Sequence, residues 1–296
     1  MSAGGAASPP SEAMRRGVSR GAFVATVVIV AVIALAAGLY TGKTYLTSSG
    51  SSSKYFVVGT NVPFPPFESF NNTTGNYTGF DMNFSQLIAN ALHRKLVIDN
   101  YANFEVLLAD VGVGVVDMAA SAITESGSVG ALRNGTMSFS IPYYDANQAI
   151  LVSSSSMFTC PPVAQGGCTA QDLAALTIGV QSGTSSQSWL QQYLPPANET
   201  GKGQVFPFTT VDLEVDALIA GSLNAVMIDL GPATSIAAGS GGTLKVAGEV
   251  LTNELYGFAV AHGDPEHILP VINSVITQAE QNGTYAYLVK EWFGSA

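Results

Sequence analysis

Charge is scarce in this chain, and positive charge scarcer still. Only 11% of the 296 residues are Asp, Glu, Lys or Arg, and the formal net charge is −10. Four of the eleven basic residues (Arg15, Arg16, Arg20 and Lys43) precede Lys54, which leaves 7 Lys/Arg against 20 Asp/Glu from there onward, a net of −13. Neutralising phosphates needs clustered Lys and Arg, so nucleic acid is excluded as a partner. Histidine occurs only at His93, His262 and His267, with no metal-ligand spacing, and no metal or cofactor is expected. From Lys54 onward there is no G-x-S-x-G nucleophile elbow. No His or Cys stands in a constellation for nucleophilic or acid–base catalysis, so no catalytic residue is assigned.

Cysteine is limited to Cys160 and Cys168, which bracket the short stretch C-P-P-V-A-Q-G-G-C. An even count at short separation outside a reducing compartment points to a disulfide, with two free thiols as the alternative and a metal site last. No cysteine follows the one long apolar run, which excludes a bacterial lipoprotein anchor. That run, Gly21 to Tyr40, carries no charge over 20 residues. As a helix it would reach ~30 Å, the thickness of a hydrocarbon core. Arg15, Arg16 and Arg20 precede it, which places residues 1–20 in the cytoplasm and everything after Tyr40 outside. A single-pass anchor in the cell membrane is favoured. Cleavage as a signal peptide at A-L-A-A-G-L-Y-T-G, with secretion of the product, stays open. Residues 41–53 end in the spacer T-S-S-G-S-S-S. N-x-S/T sequons occur at Asn71, Asn72, Asn76, Asn83, Asn134, Asn198 and Asn282, and any that are used imply an external surface.

From Lys54 onward, short β-rich runs alternate with stretches of helical periodicity. Strands are expected at Tyr55–Gly59, Leu96–Ile98, Val116–Ala120, Gln148–Val152, Leu176–Val180, Asn224–Ile228 and Tyr256–Ala261. Helices are expected at Phe80–Leu92, Phe104–Val113, Ser185–Tyr193, Val211–Ala220, Ile268–Glu280 and a final stretch ending at Trp292. Asn71–Asn76 reads as a turn, and Glu125–Leu132 as a loop. The alternation argues for parallel α/β sheets, and the Ser/Pro/Gly-rich stretch Ser153–Gly167 divides it into two series.

Several strings then occur in a telling order. V-G-T-N-V-P-F-P-P-F-E runs from Val58 to Glu68, G-F-D from Gly79 to Asp81 and F-S-I-P-Y-Y from Phe139 to Tyr144. I-G-V-Q-S-G-T-S follows at Ile178–Ser185, A-V-M-I-D at Ala225–Asp229, Y-G-F-A-V at Tyr256–Val260, and N-G-T-Y with K-E-W-F-G between Asn282 and Gly294. In this order they resemble the amino-acid-binding proteins of ABC importers, the bacterial extracellular solute-binding family 3. The resemblance implies a periplasmic-binding-protein-like α/β fold of two lobes, joined by a two-strand hinge around an interlobe cleft. Lobe 1 would take residues 54–147 and 251–296, and lobe 2 residues 148–250. It implies an amino-acid ligand, a membrane ABC permease as partner, and a monomer. A receptor or accessory ectodomain, or a cyclohexadienyl dehydratase-like enzyme, is the alternative on the same fold.

A free amino acid carries one carboxylate and one ammonium, and burying both needs a fixed cation and a fixed anion. Arg133, just before F-S-I-P-Y-Y, is the expected carboxylate clamp, although it follows Thr124 by a longer spacing than relatives show. Arg94, the other arginine after Lys54, reads as a solvated surface residue. The resemblance assigns the ammonium to Asp229, whose other reading is a helix N-cap before G-P-A-T. It assigns hydroxyl and backbone contacts to Ser121, Ala122, Thr124, Thr184 and Ser185, and side-chain contacts to Phe64, Asn61 and Gln181. Asn61 is neutral where relatives for basic ligands are often acidic, so the expected ligand is a neutral polar or apolar amino acid.

Overall fold

A computed structural model describes residues 53–194 and 204–294. The apolar run 21–40, most of the spacer and the Asn198 sequon lie outside the described residues. Among the described residues no helix is long and apolar enough to cross a membrane.

The chain opens with β1 (Tyr55–Thr60), β2 (Ser69–Asn71), β3 (Asn76–Thr78), α1 (Phe80–Ala91), β4 (Lys95–Asn100), α2 (Phe104–Gly112), β5 (Met118–Ala119), α3 (Gly127–Arg133) and β6 (Met137–Phe139). It continues through β7 (Tyr144–Ser153), α4 (Ala170–Leu173), β8 (Ile178–Gln181), α5 (Ser185–Tyr193), β9 (Val205–Phe208), α6 (Val211–Ile219), β10 (Ala225–Asp229), α7 (Leu230–Gly239) and β11 (Leu244–Tyr256). The closing elements are β12 (Ala259–Ala261), α8 (Leu269–Gln281) and α9 (Thr284–Phe293).

Two five-stranded sheets result, ordered β4-β1-β5-β12-β6 and β11-β7-β10-β8-β9. The expectation of parallel sheets is corrected, because both are mixed. Strands separated by a crossover helix, such as β1 and β4 around α1, are parallel. β7 and β11 pair antiparallel because one carries the chain into the second sheet and the other carries it back. β12, which follows β11 directly, meets β5 and β6 antiparallel.

Burial follows the strand period. On β7, Ile150 and Val152 face one core while Ala149 and Leu151 face another. On β10, Ala225 and Met227 join the first of these, Val226 and Ile228 the second. A sheet covered on both faces needs apolar residues at successive positions, which is why A-V-M-I reads as an uninterrupted run. In the first sheet, the fully buried Phe67 is ringed by Tyr144, Tyr256, Phe80 and Phe293 at centroid separations of 4.9, 5.3, 6.3 and 5.2 Å. Such aromatic pairs add ~0.5–1.5 kcal/mol each beyond area burial. Phe67 thereby ties the loop after β1 to the first residue of β7, the last of β11 and the end of α9.

Three local readings change, and the expected turn at Asn71–Asn76 is found. Glu125–Leu132 is largely helical, as α3, with Ser126 at its N-cap position accepting from Leu255 N at 2.8 Å. Asn71–Asn76 is the tip of the hairpin β2–β3, where Asn71 Oδ1 accepts from the Thr73 and Thr74 amides at 2.9 and 3.1 Å. Arg94 is not simply solvated: its side chain is 12% exposed and pairs with Glu266 at 2.9 Å. Asn83 Oδ1 is occupied by the Trp292 indole N–H at 2.7 Å, so this sequon is engaged in the fold.

Cys160 and Cys168 form a disulfide. It fastens the loop to β11, where Cys160 N donates to Ala247 O at 3.0 Å and Cys168 N to Glu249 O at 2.7 Å. Between those carbonyls sits Gly248, at φ 148° in a register shift of β11. A Cβ there would come within 2.5 Å of Cys160 Cβ, so the bridge requires glycine beneath it.

Candidate functional site

Loops at strand ends of the two sheets converge on one small cavity. β1 ends beside Asn61, whose backbone N–H donates to Ser121 Oγ at 3.1 Å and whose amide Nδ2 donates to Tyr101 O at 2.7 Å. Ser121 Oγ donates in turn to Glu68 Oε1 at 2.7 Å. Ala122 adopts φ 46°, a left-handed conformation that costs an alanine roughly 1–2 kcal/mol. Its N–H donates to Asp81 Oδ2 at 2.9 Å, which also accepts from the Tyr143 hydroxyl at 2.9 Å. The G-F-D aspartate thus holds the strained turn in place. Burial pushes the Asp81 carboxyl up to about 7, with these two hydrogen bonds restraining the rise.

Arg133 ends α3 and is 7% exposed. Its Nη1 donates to Thr124 O at 2.8 Å and its Nη2 to Gly183 O at 2.9 Å, and the guanidinium lies 5.6 Å from the centroid of the Phe104 ring. Burial pulls its pKa down to about 10, against the pull of the Glu254 and Asp229 carboxylates. The longer spacing from Thr124 is absorbed by the helical turns of α3, so the side chain reaches the cavity.

The second sheet supplies the opposite wall. Thr184 is the N-cap of α5, accepting from Gln187 N at 3.2 Å and donating to Gln181 O at 2.7 Å. Ser185 follows, buried, with its Oγ in hydrogen-bond contact with Thr124 Oγ1 at 3.3 Å. Gln181, at the end of β8, donates to Asn61 Oδ1 at 2.8 Å. Asp229, at the end of β10, precedes α7 in the N-cap position but makes no side-chain cap. Its Oδ1 accepts from the Tyr256 hydroxyl at 2.5 Å and from Gln148 Nε2 at 2.9 Å. Burial pushes its carboxyl up to about 7, the Glu254 charge adds to the rise, and the hydrogen bonds from Tyr256, its own backbone and Gln148 oppose it.

All ten of the residues singled out in the sequence border this cavity, and Phe104 completes the wall. The space is about 20 Å³, room for one water. Three cross-wall hydrogen bonds hold it that tight: Arg133 to Gly183, Thr124 to Ser185 and Gln181 to Asn61. Admitting a larger molecule requires these to part.

Sequence reasoning missed Phe104, Gln148, Glu254, Glu68 and Asp81 as parts of this assembly. Phe104 had a detectable signal, since it opens a helix just after the C-terminal end of a strand. Gln148 and Glu254 had a weaker one, polar side chains inside runs that read as strand or connecting segment. Among the described residues no group of His, Cys, Asp and Glu is arranged to hold a metal ion.

Comparison with known proteins places this geometry. The model of the bacterial extracellular solute-binding proteins, family 3, matches residues 56–295. The L-cystine-binding protein TcyJ of Escherichia coli (strain K12) is 26% identical over 239 residues, covering 81% of this chain and 82% of its own. Among solved structures, the P235GK mutant of ArgBP from T. maritima is 30% identical with a TM-score of 0.70, over 82% of this chain and 96% of its own. An ancestral arginine-binding protein bound to glutamine is 25% identical with a TM-score of 0.70, over 83% of this chain and 100% of its own. A family match over nearly all of the described residues, on the same fold, makes this chain a member of the bacterial extracellular solute-binding proteins, family 3.

Proposed function

We propose that this chain is the extracytoplasmic substrate-binding component of an ABC importer and that it captures an amino acid between two closing lobes. One observation carries the reading: a buried guanidinium and a buried carboxyl, those of Arg133 and Asp229, reach a common cavity from opposite walls. Arg133 would take the ligand carboxylate in its guanidinium fork, and Asp229 the ammonium. Hydroxyl and backbone groups of Ser121, Ala122, Thr124, Thr184 and Ser185 would complete the carboxylate shell at the N-terminus of α5. Phe64 and Phe104 offer apolar faces, and Asn61 with Gln181 a neutral polar end, which supports a neutral polar or apolar amino acid. The relatives' names span cystine and arginine, and glutamine is bound by the ancestral protein.

Residues 54–147 with 251–296 would form one lobe and 148–250 the other, pivoting about β7 and β11. The cross-wall hydrogen bonds break on opening and re-form around the ligand, so the closed state is selected by contacts to both lobes. The run Gly21–Tyr40 would anchor this domain to the outer face of the membrane, beside its permease. The test is a thermal-shift screen of the full-length chain against the common amino acids. A ligand at 100-fold above its Kd adds ~2.7 kcal/mol of stability. That gain should vanish in Arg133→Ala and Asp229→Asn. If no amino acid stabilises the wild type, the reading fails. If turnover of prephenate or arogenate accompanies binding, the dehydratase reading replaces it.

A further inference from the structure

Behind Asp229 lies a polar chain that the clamp itself does not need. Gln148, on β7, is fully buried. Its Nε2 donates to Asp229 Oδ1 at 2.9 Å and to Glu254 Oε1 at 3.0 Å, and its Oε1 accepts from Ser186 Oγ at 2.5 Å. Glu254, on β11, is 7% exposed, and its Oε2 accepts from Thr124 Oγ1 at 2.7 Å. Tyr256, two residues further along β11, donates to the same Asp229 oxygen as Gln148. Both strands that connect the sheets thus grip one carboxyl, and both donors point at Oδ1. The residue they hold also borders the cavity.

The charges around this carboxyl do not balance. Asp229 is faced by Glu254 and Tyr256 of β11, by Arg133 at the end of α3, by Glu68 of the loop after β1 and by Glu214 of α6. Arg133 is the one buried cation among the described residues, and both Glu254 and Asp229 act on it. Two buried carboxylates beside one guanidinium leave a net negative charge away from water, which is costly unless one of the acids is protonated.

We propose that Gln148 and Glu254 are positioning residues for ligand capture: Gln148 aims the Asp229 carboxyl, and Glu254, beside it in a site closed to water, helps keep a proton on it that the incoming ammonium displaces. This rests on the amino-acid reading and adds a regulation to it. The step balances simply. A ligand ammonium approaches the protonated Asp229, the Oδ–H proton leaves to solvent, and an ammonium–carboxylate pair replaces it. No bond to the ligand is made or broken. Capture is therefore a proton-releasing event, and affinity falls as the medium acidifies.

The experiment is calorimetric titration of the full-length chain with the amino acid found to stabilise it, at pH 6 and pH 8, in buffers of different ionisation enthalpy. With the Asp229 carboxyl at about 7, close to one proton should leave per ligand at pH 6, and affinity should be roughly tenfold weaker there than at pH 8. Glu254→Gln keeps the shape of the chain and removes its charge. It should move the pH midpoint of affinity downward, so that the loss at pH 6 is smaller than the wild type's roughly tenfold. Gln148→Met should move the midpoint upward. A role in folding alone would lower affinity equally at both pH values, and that result, or zero proton release by the wild type, overturns the proposal.

A ligand-free arm separates this from the amino-acid reading and covers variants that bind too weakly. Between pH 5 and 7 the wild type should lose unfolding stability more steeply than Asp229→Asn, by up to about one proton's worth of slope. Glu254→Gln should fall between the two. Coincident slopes would sink the positioning role even if an amino acid binds. The expected slopes without any amino-acid binding would instead sink the functional reading.

Discussion

The Arg133 guanidinium donates to the carbonyl oxygen of Gly183 at 2.9 Å, so a side chain from the end of α3 is fastened to the loop that begins α5. Its other donor contact, to Thr124 O at 2.8 Å, is made within its own side of the cavity. One arginine therefore spans the closing gap and spends its fork on backbone carbonyls, which a ligand carboxylate can replace with a charge-assisted pair.

Replacing Arg133 should accordingly separate capture from folding. Arg133→Ala is expected to weaken amino-acid affinity by at least about a hundredfold, since it leaves the ligand carboxylate buried without a partner. Arg133→Lys keeps the charge and loses the fork, and should recover only part of the loss. Isothermal titration of the two variants checks this. Equal affinity for Arg133→Lys and the wild type would mean that fork geometry contributes nothing.

Phe104, the wall residue that sequence reasoning missed, holds the guanidinium from one face at 5.6 Å. Phe104→Leu retains apolar volume and removes the π face. Affinity should drop by ~0.5–2 kcal/mol with little change in unfolding temperature. A large fall in unfolding temperature with unchanged affinity would make Phe104 a core residue only.

Glu214 is fully buried against β8 and β10, and neither carboxyl oxygen has a hydrogen-bond partner among the described residues. Burial, and after it the charge of Asp229, hold its pKa well above the ordinary carboxylate value. The folded state therefore keeps a proton that the unfolded state has lost, and stability declines as pH rises above the ordinary value toward the folded one. Glu214→Met should stabilise the protein by ~1–3 kcal/mol, and the advantage should be larger at pH 8 than at pH 5. Chemical denaturation at the two pH values measures it, and a variant less stable at both would contradict the assignment.

The disulfide closes a loop with a sequence separation of 8. Removing it with Cys160→Ser and Cys168→Ser together should cost ~2–3 kcal/mol of stability. The loop is fastened to β11 near Ala247 and Glu249, away from the cavity walls. Ligand affinity should thus change by less than about twofold when stability is not limiting. Scanning calorimetry with titration below the melting range tests both halves.

Legibility in the sequence followed burial. The A-V-M-I run of β10 announced a strand covered on both faces, because every residue in it had to be apolar. The expected helices over Phe80–Leu92 and Ser185–Tyr193 agree closely with α1 and α5 for the analogous reason, one apolar stripe each. β11 was largely missed. It spans 13 residues, Leu244 to Tyr256, but carries Gly248, Glu249, Thr252 and Asn253 with two register shifts, so its alternation is broken. The helix α3 was hidden by Gly127 and Gly130, which lower helix propensity and read as loop.

The sequence alone determined which chemistry was present: one well-placed arginine, one aspartate at a strand end, an amide pair, and hydroxyl-bearing turns in an order that resembled a family. Residue type and order are linear properties, so a linear reading reaches them. Only the tertiary structure decided that Arg133 and Asp229 meet across one cavity of about 20 Å³. It alone decided that Gln148 and Glu254, 106 positions apart, stand together behind Asp229. Such encounters arise where the paired strands β7 and β11 bring distant segments into register, and charge balance in a buried site depends on those distances rather than on the residues' places in the chain.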